Sequence, residues 1–183
     1  MKELSLNILD ITKNSVRAGA TLIKISLFQN IDGWLELTIS DNGCGMSEEM
    51  LKNVTDPFCT TRKTRSIGMG IPLLKMAAEQ TGGTIKLSSS TTPGKSGTVV
   101  KATFNTKSID FMPIGDIVST ICILIAGSPE IDFEFCDTTP QRTVALKTTE
   151  LKEVLGEDIS LAEPEVQLWL KEFLTEQYNM EQN

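Results

Sequence analysis

The chain has 183 residues, 40% hydrophobic and 22% charged, an ordinary globular composition with room for one core or a core plus an appendage. Its net charge of −7 and pI near 4.7 argue against nucleic acid or an anionic membrane surface as the main partner. The most apolar run, 117–126, is far shorter than the roughly 20 residues of a spanning helix, and the absence of histidine excludes Ser-His and Cys-His mechanisms and self-phosphorylation on histidine.

Met1-Lys2-Glu3 opens into a mixed polar and apolar stretch unlike a secretory leader, so the expected compartment is the cytoplasm. Cys44, Cys59, Cys122 and Cys136 form no Cys-x-x-Cys pair and read as free thiols.

Residues 3–18 read as an amphipathic helix, with Leu4, Ile8 and Ile11 on one side. Asn7, Asp10, Asn14 and Arg17 recur at three- and four-residue steps on another. That stripe is either a solvated polar face or a functional one. An Asn oxygen suits magnesium, and a carboxylate one turn earlier suits orienting or deprotonating a hydroxyl or water. Gly19-Ala20 ends the helix. Residues 21–28 and 34–40 read as a hairpin around Asp32-Gly33.

The second strand ends in Asp41-Asn42-Gly43-Cys44-Gly45-Met46. A carboxylate at a strand end suits an exocyclic amine such as that of adenine, and the glycines admit a flat ring or phosphate near the backbone. The same hexapeptide also reads as an ordinary turn. Ser47-Glu48-Glu49 opens a short helix ending near Asn53. Residues 55–66 form a basic loop, with Thr60, Thr61, Arg62, Lys63 and Arg65, that is either a solvated linker or a lid whose cations reach a polyphosphate.

Gly68-Met69-Gly70 leads into a helix over 71–80, where free N–H groups and the helix dipole suit an anion. No Gly-Lys-Ser/Thr follows, so it is not a Walker loop. Residues 84–90 and 98–104 read as a second hairpin. Helix, hairpin, helix, lid, helix, hairpin implies an α+β fold, a two-layer α/β sandwich with a mixed sheet under one helical layer.

These motifs resemble, in order and spacing, the ATP-binding domain of the GHKL superfamily of gyrase, the ninety-kilodalton heat-shock chaperone, histidine kinases and mismatch-repair ATPases. Leu9 to Ser15 resembles the N box, Asp41 to Met46 the first glycine box, Asp56 to Lys63 the start of the lid, and Ser66 to Ile71 the second glycine box. Gly97-Thr98 resembles the late Gly-Thr pair. The resemblance implies a Bergerat ATP-binding fold over 1–107. It implies ATP and Mg2+ as cofactors, Asn14 as the metal ligand and Asp10 as the general base. Asp41 would take the adenine amine, with Gly43, Gly45, Met46 and Thr98 shaping the pocket. Thr60, Thr61, Arg62, Lys63, Gly68, Met69 and Gly70 would lie along the phosphates. The family usually has Glu where Asp10 stands, and a third glycine at Ser66.

Residues 108–183 carry no recognised motif and read as a small C-terminal α/β extension. The expected elements are a helix from about Asp116 to Ala126, strands over 131–136 and 143–147, and helices over 149–155 and 163–178. The last begins at a Ser160/Glu163 capping box or at Pro164. Its stripe of Val166, Trp169, Leu170, Phe173 and Leu174 is either core or a partner site. The functional expectation is a kinase or ATPase acting on a separate protein substrate or regulatory partner, without nucleic acid or membrane, and with a homodimer left open. The alternative is a nucleotide-switched binding module with little turnover.

Overall fold

The computed structural model describes residues 3–54, 69–156 and 159–180. Helix α1 (Leu4–Arg17) is followed by strands β1 (Leu22–Gln29) and β2 (Trp34–Asp41) and helices α2 (Glu48–Asn53) and α3 (Gly70–Gln80). Then come β3 (Ile85–Ser90), β4 (Gly97–Asn105), α4 (Ile117–Gly127), β5 (Asp132–Thr138), β6 (Thr143–Lys147), α5 (Thr148–Leu155) and α6 (Pro164–Asn179). No described helix is long and apolar enough to cross a membrane. Each expected element is present, with ends shifted by a residue or two, within the ordinary fraying of helix and strand termini. Pro164 takes the first position of α6 and Glu163 its N-cap; Ser47 caps α2 through the Met50 N–H at 3.3 Å.

The six strands form one mixed sheet in the order β3-β4-β2-β1-β5-β6. Alternation decides its faces. Ile23, Ile25 and Leu27 of β1, Leu35, Leu37 and Ile39 of β2, and Val100, Ala102 and Phe104 of β4 are all buried. The residues between them, such as Lys24, Glu36 and Lys101, stay at least partly exposed. Over the buried face the helices lie in a row, with α3 beside α1, α1 beside α4 and α4 beside α6.

The C-terminal third continues this sheet. Strand β5 lies parallel to β1, with Lys24 opposite Glu134 and their side chains 2.8 Å apart, and β6 pairs antiparallel to β5. Phe133, Phe135, Val144 and Leu146 extend the same core.

The segment between β4 and α4 also holds α1. A helix start leaves its first N–H groups without intrahelical partners. Here the Leu4 N–H donates to the Pro113 carbonyl at 2.9 Å and the Ser5 N–H to that of Ile114 at 2.8 Å. Phe111 packs edge-on against Phe104 at 6.1 Å, seating the strap on the core. Gly115 closes it with φ of 79°, where a Cβ would overlap the Glu3 and Ser5 side chains.

Candidate functional site

Helix α1 and the end of β2 enclose a cavity of about 210 Å³. Its walls are largely apolar, from Ile11, Ile39, Met46, Val54, Ile71 and Val100. Its polar groups are few: Asn14, Ser15, Arg17, Asp41 and Thr98. This is the usual composition of a small-molecule site, an apolar slot with a few oriented polar groups.

Asp41 is the last residue of β2 and is held by two donors. Ser15 Oγ donates to Oδ2 at 2.6 Å and the Gly43 N–H donates to Oδ1 at 2.9 Å. An ionised carboxylate has about four acceptor sites, so two bonds orient it and leave capacity for a ligand.

The turn after Asp41 is fastened elsewhere. Asn42 Oδ1 accepts from the N–H groups of Thr21 and Leu22 at 2.8 and 2.9 Å, and its Nδ2 donates to Thr21 Oγ1 at 2.8 Å. The Cys44 N–H donates to the Ala18 carbonyl at 2.9 Å. Gly45 has φ of 72°, and a Cβ there would overlap the Ser90 carbonyl. A side chain at Gly45 would therefore push the turn off β3 and reshape the cavity wall.

Ser89 ties the opposite wall. Its Oγ accepts from the Met46 N–H at 2.8 Å and lies 2.9 Å from both the Gly97 carbonyl and Thr98 Oγ1. With its one proton on the Gly97 carbonyl, Ser89 accepts from Thr98, whose lone pairs are then left for the cavity. Thr98 stands directly across the ladder from Asp41.

The structure thus brings Asn14, Asp41, Gly45, Met46 and Thr98 to one cavity, with Gly43 bonded to its carboxylate. Among the described residues Asn14 Oδ1 accepts only from Arg17 Nη1, at 3.5 Å. Asp10 is exposed one turn along α1 and does not line the cavity. It faces the start of α3: a Cβ on Gly70 would lie 3.2 Å from Asp10 Cβ. Met69 caps that helix without a side-chain bond. Thr60, Thr61, Arg62, Lys63 and Gly68 lie outside the described residues.

Asn7, like Asp10, does not line the cavity. It is fully buried, and its Nδ2 contacts Met112 Sδ at 3.7 Å. The reason is axial. Asn7 shares a direction with Asn14, but two turns of rise, about 10 Å, separate them.

Two residues that shape the site were not among the expected ones, Ser15 and Ser89. Both occupy positions where periodicity asks for an apolar side chain. Ser15 continues the stripe of Leu4, Ile8 and Ile11, and Ser89 follows Ile85 and Leu87 on the inward face of β3. A small hydroxyl at a core position was the available signal.

An ion could be held by Asn14 only with outside ligands. Among the described residues no three Cys, Asp or Glu side chains converge on a metal site. One amide oxygen supplemented by phosphate oxygens and water is a donor set suited to Mg2+.

Comparison with known proteins agrees with this geometry. The chain is 32% identical to the tetrathionate sensor histidine kinase TtrS of Salmonella typhimurium over 96 residues, 52% of this chain and 16% of that one. It is 33% identical to the signal transduction histidine-protein kinase AtoS of Escherichia coli over 89 residues, 49% of this chain and 14% of that one. The match therefore spans about a sixth of these relatives or less. Among solved structures, the N-terminal domain of a DNA repair protein superposes with a TM-score of 0.57 at 14% identity, covering 86% of this chain and 58% of the other. The Aquifex aeolicus MutL ATPase domain complexed with ADP gives 0.51 at 13% identity, covering 85% and 69%. Those two likenesses concern the fold alone, and they extend well beyond the first half of the chain. Residues 1–108 match the family described as histidine kinase-, DNA gyrase B-, and HSP90-like ATPase. The chain belongs to that family.

Proposed function

We propose that this chain binds ATP with Mg2+ in the cavity beside Asp41 and acts as a kinase or ATPase on a separate protein partner. The observation that carries the reading is the Asp41 carboxylate, oriented by Ser15 and Gly43 at an apolar slot wide enough for a flat ring.

In this reading Asp41 accepts from the adenine amine and Thr98 adds a second acceptor beside it. The apolar walls exclude water from the ring faces. Asn14 would hold Mg2+, whose charge would neutralise the phosphate oxygens. The backbone N–H groups of Gly70 and Ile71 at the start of α3, beside Asp10, would steady the γ-phosphate, with Arg62 and Lys63 as further cations. The attacking hydroxyl or water gives its proton to Asp10 as its oxygen bonds to the γ-phosphorus, and the bond to the β–γ bridging oxygen breaks to release ADP. The cytoplasm, where ATP is abundant, is the fitting compartment.

A second reading rests on the position of Asp10, which is exposed and absent from the cavity wall. If it never reaches the γ-phosphate, the protein is a nucleotide-switched binding module. Calorimetry and a radiolabelled ATP transfer assay on the Asp10→Asn variant separate the two. The enzyme reading expects retained ATP affinity with phosphate release or transfer reduced about a hundredfold or more, the lower end of the range for a lost general base. Unchanged turnover in that variant contradicts it.

A further inference from the structure

Charge is spread unevenly along the chain. Residues 148–183 hold nine of the 24 acidic residues and two of the 17 basic ones, while residues 1–147 balance. The whole net charge of −7 therefore sits in the C-terminal helical stretch.

Helix α6 shows what that charge surrounds. Val166, Leu170 and Leu174 are buried in the core. The outward face carries Glu165, Leu168, Trp169, Glu172 and Glu176 at three- and four-residue steps, all exposed. Leu168 is 61% and Trp169 47% exposed, and Trp169 stacks on Phe173 with ring centroids 5.1 Å apart and planes at 14°. The stack fixes the indole in place, so a partner meeting it loses little side-chain freedom.

Glu165 lies in the first turn of α6, where a carboxylate suits the helix dipole, but Glu172 and Glu176 have no such role. Among the described residues none of Glu165, Glu172 and Glu176 is within ion-pair distance of a cation. Glu172 and Glu176, four apart, repel each other and weaken the helix. An acidic rim around a rigid, half-exposed aromatic is the pattern of an interface whose partner supplies the opposite charge.

We propose that the outer face of α6 docks a basic amphipathic segment of a partner protein, with Trp169 and Leu168 as its apolar anchor and Glu165, Glu172 and Glu176 as counter-charges. Charge selects this occupant. Nucleic acid and anionic bilayers are repelled, and a second copy would bring the same acidic face against itself.

The test uses the full chain carrying Trp34→Phe, so that Trp169 is its one indole. The probe is a short helical peptide of Lys and Leu with an apolar stripe. Controls are the same composition shuffled to destroy the stripe, a Glu-for-Lys version, and anionic phospholipid vesicles. The expected result is a blue shift of Trp169 emission with the amphipathic basic peptide, binding about tenfold tighter than the shuffled one and weakening with added salt. Joint Glu165→Gln, Glu172→Gln and Glu176→Gln substitution, which relieves repulsion and leaves the fold intact by circular dichroism, weakens binding about tenfold. Equal binding of the shuffled or Glu peptide, unchanged binding by the triple variant, a blue shift on vesicles, or dimerisation through Trp169 without peptide would each overturn the proposal.

Discussion

Two carboxylates near strand ends, Asp41 on β2 and Asp137 on β5, sit against opposite ends of β1, opposite Ile23 and Leu27 respectively. Asp137 is buried and closed by its surroundings. The Tyr178 hydroxyl donates to Oδ2 at 2.7 Å, and Arg142 lies over the Tyr178 ring at 4.7 Å. Burial pushes the Asp137 carboxyl above the usual carboxylate range, and burial together with Asp137 pushes the Tyr178 hydroxyl up, so it stays a donor. Asp41 has two donors, yet it lines a cavity with acceptor capacity to spare. One fold thus places the same group twice, as an anchor where helix α6 covers it and, in the function proposed above, as a recognition element where it lines the cavity.

The same contrast runs through the two regions. In the C-terminal third, the polar groups that face the sheet bond internally. Gln177 bonds both the N–H and the carbonyl of Ala145 on the edge strand β6, at 2.9 and 3.1 Å, and Thr148 Oγ1 accepts from the Phe133 N–H at 2.8 Å. Around the cavity, Asn14 and Thr98 keep open valence. If the contrast is real, substitutions in one region change ligand affinity and those in the other change stability.

Asp41→Ala should have the largest effect, weakening ATP binding about a hundredfold, the size of a lost bond to a charged group plus stranded Ser15 and Gly43 donors. Calorimetry reads it, and thermal stability should fall by much less. Tyr178→Phe should do the reverse. It removes the donor to a buried carboxylate and should lower unfolding stability by about 2 kcal/mol in denaturant titration, with ATP affinity unchanged. Ser15→Ala should weaken ATP binding about tenfold, because Asp41 loses the bond that orients it. The smallest effect is in pH dependence. A carboxyl whose pKa is raised on folding contributes stability below its unfolded pKa and loses it as pH rises through the folded value. Asp137→Asn should remove that fall across the acid range just above the ordinary carboxylate pKa, measured as denaturation midpoint against pH. Asp116, whose pKa the Ser119 bonds lower, contributes the opposite slope and stays in both proteins being compared.

Much of this was legible in the residues. Periodicity and turn chemistry placed the twelve described elements, and the resemblance of the motifs to the family implied a common pocket for Asn14, Asp41 and Thr98. The strand neighbours of the C-terminal third were not legible. Phe133 and Phe135 alternating with Asp132 and Glu134 mark β5 as half-buried, but nothing in that pattern names β1 as its partner or the pairing as parallel. The Lys24–Glu134 pair carries meaning only after the register is known. Ser15 and Ser89 were hidden because a serine on an inward face looks like an imperfection in an apolar stripe until its partner is in view. The strap was hidden because backbone carbonyls, Pro113 and Ile114, do the holding.

In the proposed function, Asp41 reads the adenine amine. The most direct measurement compares, by calorimetry in the presence of Mg2+, the affinity for ATP with that for the purine ribonucleoside triphosphate lacking only the 6-amino group, in the wild type and in Asp41→Ala. The wild type should prefer ATP by about tenfold or more, and the preference should disappear in the variant. Equal affinity of the wild type for the two nucleotides would contradict it.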